Sequence, residues 1–214
     1  MKVLNLYCGV GGNRKLWYDC EVTAVESVQA IADTYKTLFP NDTVVVGDAH
    51  QYLIDHHSEF DVIWSSPPCQ THSQMQKATR HDIPRYPDMK LYQEIIFLQH
   101  FFKGKWVVEN VRPYYDILLP ATSVGRHLFW ANFPIRAHDI ASPKDFIMSA
   151  NVAGAQMMKD WLGIHYEGNL YYPGNHCPAQ ILRNCVHPEL GLQVYKCALK
   201  DIGQVDMFSR EENR

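Results

Sequence analysis

The segment Ser65-Ser66-Pro67-Pro68-Cys69-Gln70-Thr71-His72-Ser73 sets a cysteine behind two prolines, just after a short apolar run. Proline fixes its own backbone, so the pair stiffens the chain and holds Cys69 out from the preceding element. A thiol displayed this way is placed for nucleophilic chemistry. Free cysteines are more often buried and inert, and that fate is expected for the other five of the six. A second group suited to proton transfer stands in Glu109-Asn110-Val111, after the apolar Trp106-Val107-Val108. A carboxyl beside an apolar strand can have its pKa raised and donate a proton. An ion-paired surface acid fits the same short stretch.

A ligand site is written earlier in the chain. Asn5-Leu6-Tyr7-Cys8-Gly9-Val10-Gly11-Gly12 follows an apolar run and precedes a possible helix. Glycines there let the backbone turn sharply and let a ligand come close. The spacing is GxGG and not GxGxxG, so a plain dinucleotide reading fits poorly. Glu26 and Asp48 close the next two apolar runs, where one could accept from ribose hydroxyls and the other could meet a base. Either acid alone is most simply a helix cap or a solvated turn. With the glycines they describe a nucleoside-bearing cofactor lying across a sheet edge.

The elements that must position these residues alternate between strand and helix. Strands are predicted at Val3–Tyr7, Val22–Val25, Thr43–Val46, Asp61–Trp64, Trp106–Val108 and Leu128–Phe133. One helix, capped by Ser27, carries Ile31, Tyr35 and Leu38 and stops at Pro40-Asn41; another spans Met89–Phe102. This order predicts an α/β fold with a doubly wound, mostly parallel sheet. Runs such as TVVV and WVV suit strands covered on both faces. The expected organisation is a catalytic and cofactor-binding unit over 1–135, a short segment over 136–182, a return to the catalytic unit over 183–202, and a flexible polar tail over 203–214.

The 214 residues suit one substantial domain, and a net charge of −3 offers no global attraction for nucleic acid. Any DNA contact must come from a local patch. Lys77, Arg80, His81, Arg85 and Lys90 with Tyr86 form a candidate just after Cys69. No membrane span and no secretory leader are read, and reduced cysteines point to a cytoplasmic protein. His176, Cys177, Cys185, His187 and Cys197 lack the paired spacing of a structural zinc site, so no metal is expected.

Taken in order, these motifs resemble the cytosine-5 DNA methyltransferase family. LNLYCGVGG is similar to its first cofactor motif, with Tyr7 where phenylalanine is usual. AVES resembles the second and GDA the third, while SSPPCQTHS and ENV resemble the catalytic pair. Gly125-Arg126-His127-Leu128-Phe129-Trp130 looks like a degenerate QxRxR motif; aligned on Phe129, His127 takes the place of the second arginine. Arg183-Asn184-Cys185-Val186 resembles the last motif, with Arg183 in place of glycine.

The resemblance implies a Rossmann-like methyltransferase fold with S-adenosylmethionine held by Leu6, Tyr7, Cys8, Gly9, Gly11, Gly12, Glu26, Ser27, Asp48, Ala49, Pro67, Asn184 and Val186. It implies that Cys69 attacks carbon 6 of a cytosine flipped out of DNA, with Glu109 at N3 and the exocyclic amine and Arg126 at O2. The region before Arg183 is short for this family, which implies a reduced target-recognition segment that includes Asp160–Ile164. RNA as substrate, a catalytically silent DNA-binding subunit, and a carboxylated cofactor held by Arg183 stay open as alternatives. The compact size and the tail segment Gln204–Phe208, which resembles a sliding-clamp docking peptide, point to a phage or restriction-modification setting.

Overall fold

The computed structural model describes residues 1–74, 86–144, 152–168, 170–172 and 179–211. Its centre is a seven-stranded sheet in the order β3-β2-β1-β4-β5-β7-β6. Strands β1 (Lys2–Leu6), β2 (Glu21–Glu26), β3 (Thr43–Val46), β4 (Val62–Ser65) and β5 (Lys105–Val111) are parallel. Strand β7 (His127–Ala131) runs antiparallel between β5 and β6 (Thr122–Val124). Helices α1 (Gln29–Leu38), α2 (Ala49–His56) and α3 (Lys90–Phe101) fill the crossovers. Three more follow the sheet: α4 (Val152–Leu162), α5 (Ala179–Arg183) and α6 (Pro188–Glu211). This is the doubly wound, mostly parallel α/β architecture that the sequence predicts.

Alternating strand residues feed two cores, as a sheet covered on both faces requires. On one face Leu4, Leu6, Ile63 and Val108 pack with Leu53 of α2 and with Leu91, Ile95 and Leu98 of α3. On the other, Val3, Trp64, Val107 and Phe129 pack with Leu190, Val194, Tyr195 and Ala198 of α6. A third cluster joins α4 and α5 to Val10 of the glycine segment and Ile31 of α1. Helices α4 and α5 are thereby fastened beside the glycine segment.

Several expectations change. No helix follows the glycines; turns fill the chain up to β2, because Trp17 stacks on Tyr195 and the C-terminal helix takes that face of the sheet. Ser27 does not cap α1: its hydroxyl donates to Glu26 Oε1, and the same oxygen takes the Val28 N–H. Strand β5 continues through Glu109 to Val111 because β7 pairs with it beyond the end of β4. Strand β6 is an additional element, three residues long and too short for a periodic signal. The segment from Gly203, expected as a flexible tail, instead continues α6 to Glu211. One glycine costs a helix only about 1 kcal/mol, and the packed turns before it supply the nucleus.

Candidate active site

The site lies where the parallel strands end. Tyr7 leaves β1 in the left-handed region (φ 54°), a strained position for a residue with a side chain. Its hydroxyl donates to Glu94 Oε1 at 2.6 Å. Glu94, on α3, is fully buried and collects two further donors, Ser65 Oγ at 2.6 Å and His50 Nδ1 at 3.0 Å. One carboxylate thus ties the ends of β1 and β4 to the first turn of α2. The hydrogen bond to Glu94 raises the pKa of His50 against the opposing effect of burial. The sequence carried a signal for Glu94 that the reading passed over: it interrupts the apolar spacing Leu91, Ile95, Leu98 on a buried stripe.

The three glycines separate into different roles. A Cβ at Gly9 would meet nothing within 4 Å, so its backbone borders open space, and its φ of 53° suits glycine. A Cβ at Gly11 would fall 2.3 Å from Phe39, and one at Gly12 would fall 2.6 Å from the Val186 carbonyl. Those two permit close packing, Gly12 against the segment Cys185-Val186. Leu6, Cys8, Ala49 and Pro67 are buried, while Asn184 is exposed. Burial first, then the Glu26 charge, pushes the Cys8 thiol well up, which leaves it a neutral packing group.

Glu26 is almost buried, and its Oε2 accepts the Gly9 N–H at 3.1 Å. That contact orients the carboxylate toward the glycine opening and, with Oε1 taken by Ser27 and Val28, leaves one lone pair on Oε2 for a hydroxyl. Asp48 caps α2 through Oδ1, which accepts the N–H groups of His50 and Gln51. Its Oδ2 faces Lys90 at 3.8 Å. An opening at Gly9 flanked by two oriented carboxylates fits a nucleoside-bearing cofactor.

Cys69 is half-buried in the loop after β4. Asn110 Nδ2 donates to the Pro67 carbonyl at 2.9 Å and so fastens this loop to β5. Downstream, the Cys69 carbonyl accepts the N–H groups of His72 and Ser73. His72 is itself tied to Tyr115 by a 2.6 Å hydrogen bond, and burial lowers its pKa. Burial first, and then the Glu109 charge, pushes the Cys69 thiol up to about 11, while Arg126 pulls the other way. Cys69, Glu109 and Arg126 are therefore electrostatic neighbours.

Glu109 is buried on β5, and its Oε1 lies 2.7 Å from His127 Nδ1. Arg126 lies beside them, its NH2 donating to the carbonyls of Arg183 (2.8 Å) and Cys185 (3.0 Å). The degenerate motif and the last motif are thus joined through a guanidinium. Of the remaining thiols, Cys185 is buried and pushed up to about 12 by burial, then eased down by Arg126. Cys20 and Cys197 are half-buried, contrary to the expectation of uniformly buried thiols, because each sits at the rim of the α6 core.

Lys77, Arg80, His81 and Arg85 lie outside the described residues, as do His176 and Cys177. Among the described residues no cluster of three or more metal-ligating side chains occurs. Among them, too, no helix is long and apolar enough to cross a membrane.

The fold and this group of strand-end residues define a methyltransferase-type α/β domain. The family of C-5 cytosine-specific DNA methylases matches residues 1–115, and the chain belongs to that family. Among solved structures, a mutant of DNMT2 from Spodoptera frugiperda is 27% identical, with 51% of this chain and 35% of that one covered (TM-score 0.37). The PH0226 protein of Pyrococcus horikoshii is 23% identical over 51% of this chain and 49% of its own (TM-score 0.37). A putative DNA modification methyltransferase encoded within an Escherichia coli prophage is 22% identical over 54% and 33% (TM-score 0.36). The matched part is thus at most half the length of these relatives. No curated protein sequence matches the chain.

Proposed function

We propose that this protein transfers a methyl group from S-adenosylmethionine to carbon 5 of cytosine in DNA, with Cys69 as nucleophile. The observation that carries the reading is the half-buried Cys69 thiol, in the loop after β4, standing within the field of buried Glu109 and of Arg126. Membership of the family supports it. Gly9, Glu26 and Asp48 would hold the cofactor, which supplies an electrophilic methyl group when bound.

The residues divide the work as follows. Sulfur–carbon bond formation between Cys69 and carbon 6 breaks the ring's conjugation and makes carbon 5 nucleophilic. The resting thiol is neutral, so its proton must leave as that bond forms, while N3 must gain one. Glu109 is the group that can take the first and deliver the second, so negative charge does not accumulate on the ring. Arg126 lowers the Cys69 pKa and so favours the thiolate, and it is our candidate to meet the base at O2. Once carbon 5 is methylated, water takes its proton, Cys69 leaves as thiolate, and the N3 proton returns through Glu109 to the sulfur, which restores the free enzyme. Reaching the pocket requires the base to leave its stack. Helices α4 and α5, fastened beside the glycine opening, are the candidate for target recognition.

The test is transfer of labelled methyl groups from S-adenosylmethionine to duplex DNA, single-stranded DNA and RNA, with Cys69→Ser alongside. Label on cytosine carbon 5 of duplex DNA that disappears in Cys69→Ser is the expected result. Label on RNA alone would move the substrate and keep the chemistry. Transfer that survives Cys69→Ser would overturn the mechanism.

A further inference from the structure

A third side chain touches the acid. Glu109 and His127 project from the same face of neighbouring antiparallel strands, one diagonal step apart: Glu109 is paired with Phe129 and Val111 with His127. His127 is buried, with Nδ1 at 2.7 Å from Glu109 Oε1 and Nε2 at 3.2 Å from Arg126 Nε. A guanidinium has only hydrogens to offer, so in this contact Nε2 must accept and carries no proton. The ring's one proton is then on Nδ1, where it donates to Glu109. An Nε2–H tautomer, or a doubly protonated ring, would oppose two N–H groups across that 3.2 Å contact. Nor can the guanidinium easily turn away, because the Arg183 and Cys185 carbonyls both hold it.

We propose that His127 is a positioning residue for Glu109, locked by Arg126 in the Nδ1–H tautomer. Its N–H occupies Glu109 Oε1, and among the described residues none bonds Oε2. Oε2 is therefore the oxygen that faces the reaction: a protonated Glu109 carries its hydrogen there, and an ionised Glu109 accepts there. The arrangement also keeps the formal charge of Arg126 one imidazole away from the acid. Glu109 is thus steered by a neutral donor and not neutralised by direct contact with a cation. The proposal rests on the reading of Glu109 as the acid of the methyl-transfer site.

Two measurements test it on the whole chain. Nitrogen-15 NMR of histidine-labelled protein, without any ligand, reads the tautomer directly; the His127 signals are those missing in His127→Asn. The expected result is a protonated Nδ1 and an unprotonated Nε2 at neutral pH, with the preference lost in Arg126→Gln. A wild-type imidazolium or an Nε2–H ring would overturn the lock. Kinetics then test its use, since an asparagine amide can reproduce the Nδ1 donor and leucine cannot. His127→Leu is expected to lose about a hundredfold in kcat with the cofactor KM nearly unchanged, and His127→Asn to recover most of it. Equal losses in both variants, or full activity in His127→Leu, would overturn the positioning role. Should the wild type methylate no cytosine at all, the parent reading fails, while the NMR result still decides the tautomer.

Discussion

At the scale of single residues, the proposed nucleophile Cys69 is a thiol held neutral by its surroundings. Burial raises the Cys69 pKa to about 11, Glu109 adds to the rise and Arg126 offsets it. Alkylation of Cys69 by iodoacetamide, followed by mass spectrometry of its peptide, should therefore be slow at pH 8 and climb about tenfold per pH unit toward pH 11. Glu109→Gln removes a negative neighbour, so the pKa falls and alkylation at pH 8 speeds up. Arg126→Ala removes a positive neighbour, and the rate drops. Rates indifferent to both substitutions would separate the three groups. The half-buried Cys20 and Cys197 serve as internal controls in the same digest.

At the scale of elements, the strand ends are held in register by Glu94. Replacing it with alanine leaves Tyr7, Ser65 and His50 without their common acceptor inside the protein. Such a loss should cost about 3–5 kcal/mol in urea unfolding. Glu94→Gln keeps the shape and removes the charge that holds the His50 proton. His50 titrates higher in the folded chain than when unfolded, so its contribution is full below pH 6.5 and declines as pH rises through the raised value. Stability of the wild type relative to Glu94→Gln should fall across that window; a difference that does not change with pH would refute the linkage. The glycines allow a cleaner contrast. Gly12→Ala drives a methyl group into the Val186 carbonyl and should lower stability by about 1–3 kcal/mol. At Gly9 alanine meets no atom, so beyond about 1–2 kcal/mol for its left-handed backbone its effect should be weaker cofactor binding in a calorimeter.

At the scale of the whole molecule, α6 packs on the sheet through residues up to Ile202, the last one whose side chain is described. Beyond it the helical backbone carries Gln204–Phe208, whose side chains lie outside the described residues. The polar composition of 203–214 predicts that its removal leaves the thermal midpoint within a few degrees and leaves methyl transfer to free DNA intact. If those five residues dock on a sliding clamp, the same truncation abolishes retention on immobilised clamp, as does the pair Met207→Ala and Phe208→Ala. A large fall in the midpoint would mean instead that this stretch packs on the body.

The order of strands and helices was legible in the sequence, and so were the candidate residues that close the strands. Apolar runs of strand length, each followed by glycine, acid or cysteine, specified a parallel sheet with its ligands at the strand ends. Five of six predicted strands overlap the parallel set; β1, β2, β4 and β5 are apolar because they are largely buried, whereas β3, expected to be covered on both faces, is an edge strand whose TVVV run is only partly buried. Cys69 stood out as a candidate because two prolines precede it, and Glu109 because the ENV segment around it resembles the family motif. Tertiary structure alone decided which partners meet. Glu94 was a lone acid in a helix until three elements converged on it. His127 acquired its contact with Glu109 only when β7 ran antiparallel beside β5, and Arg126 acquired its carbonyls only when the C-terminal segment folded back over the glycines. Periodicity reports the surroundings of one element at a time, whereas a hydrogen bond between residues 18 or 57 positions apart depends on the register and layering of the whole sheet.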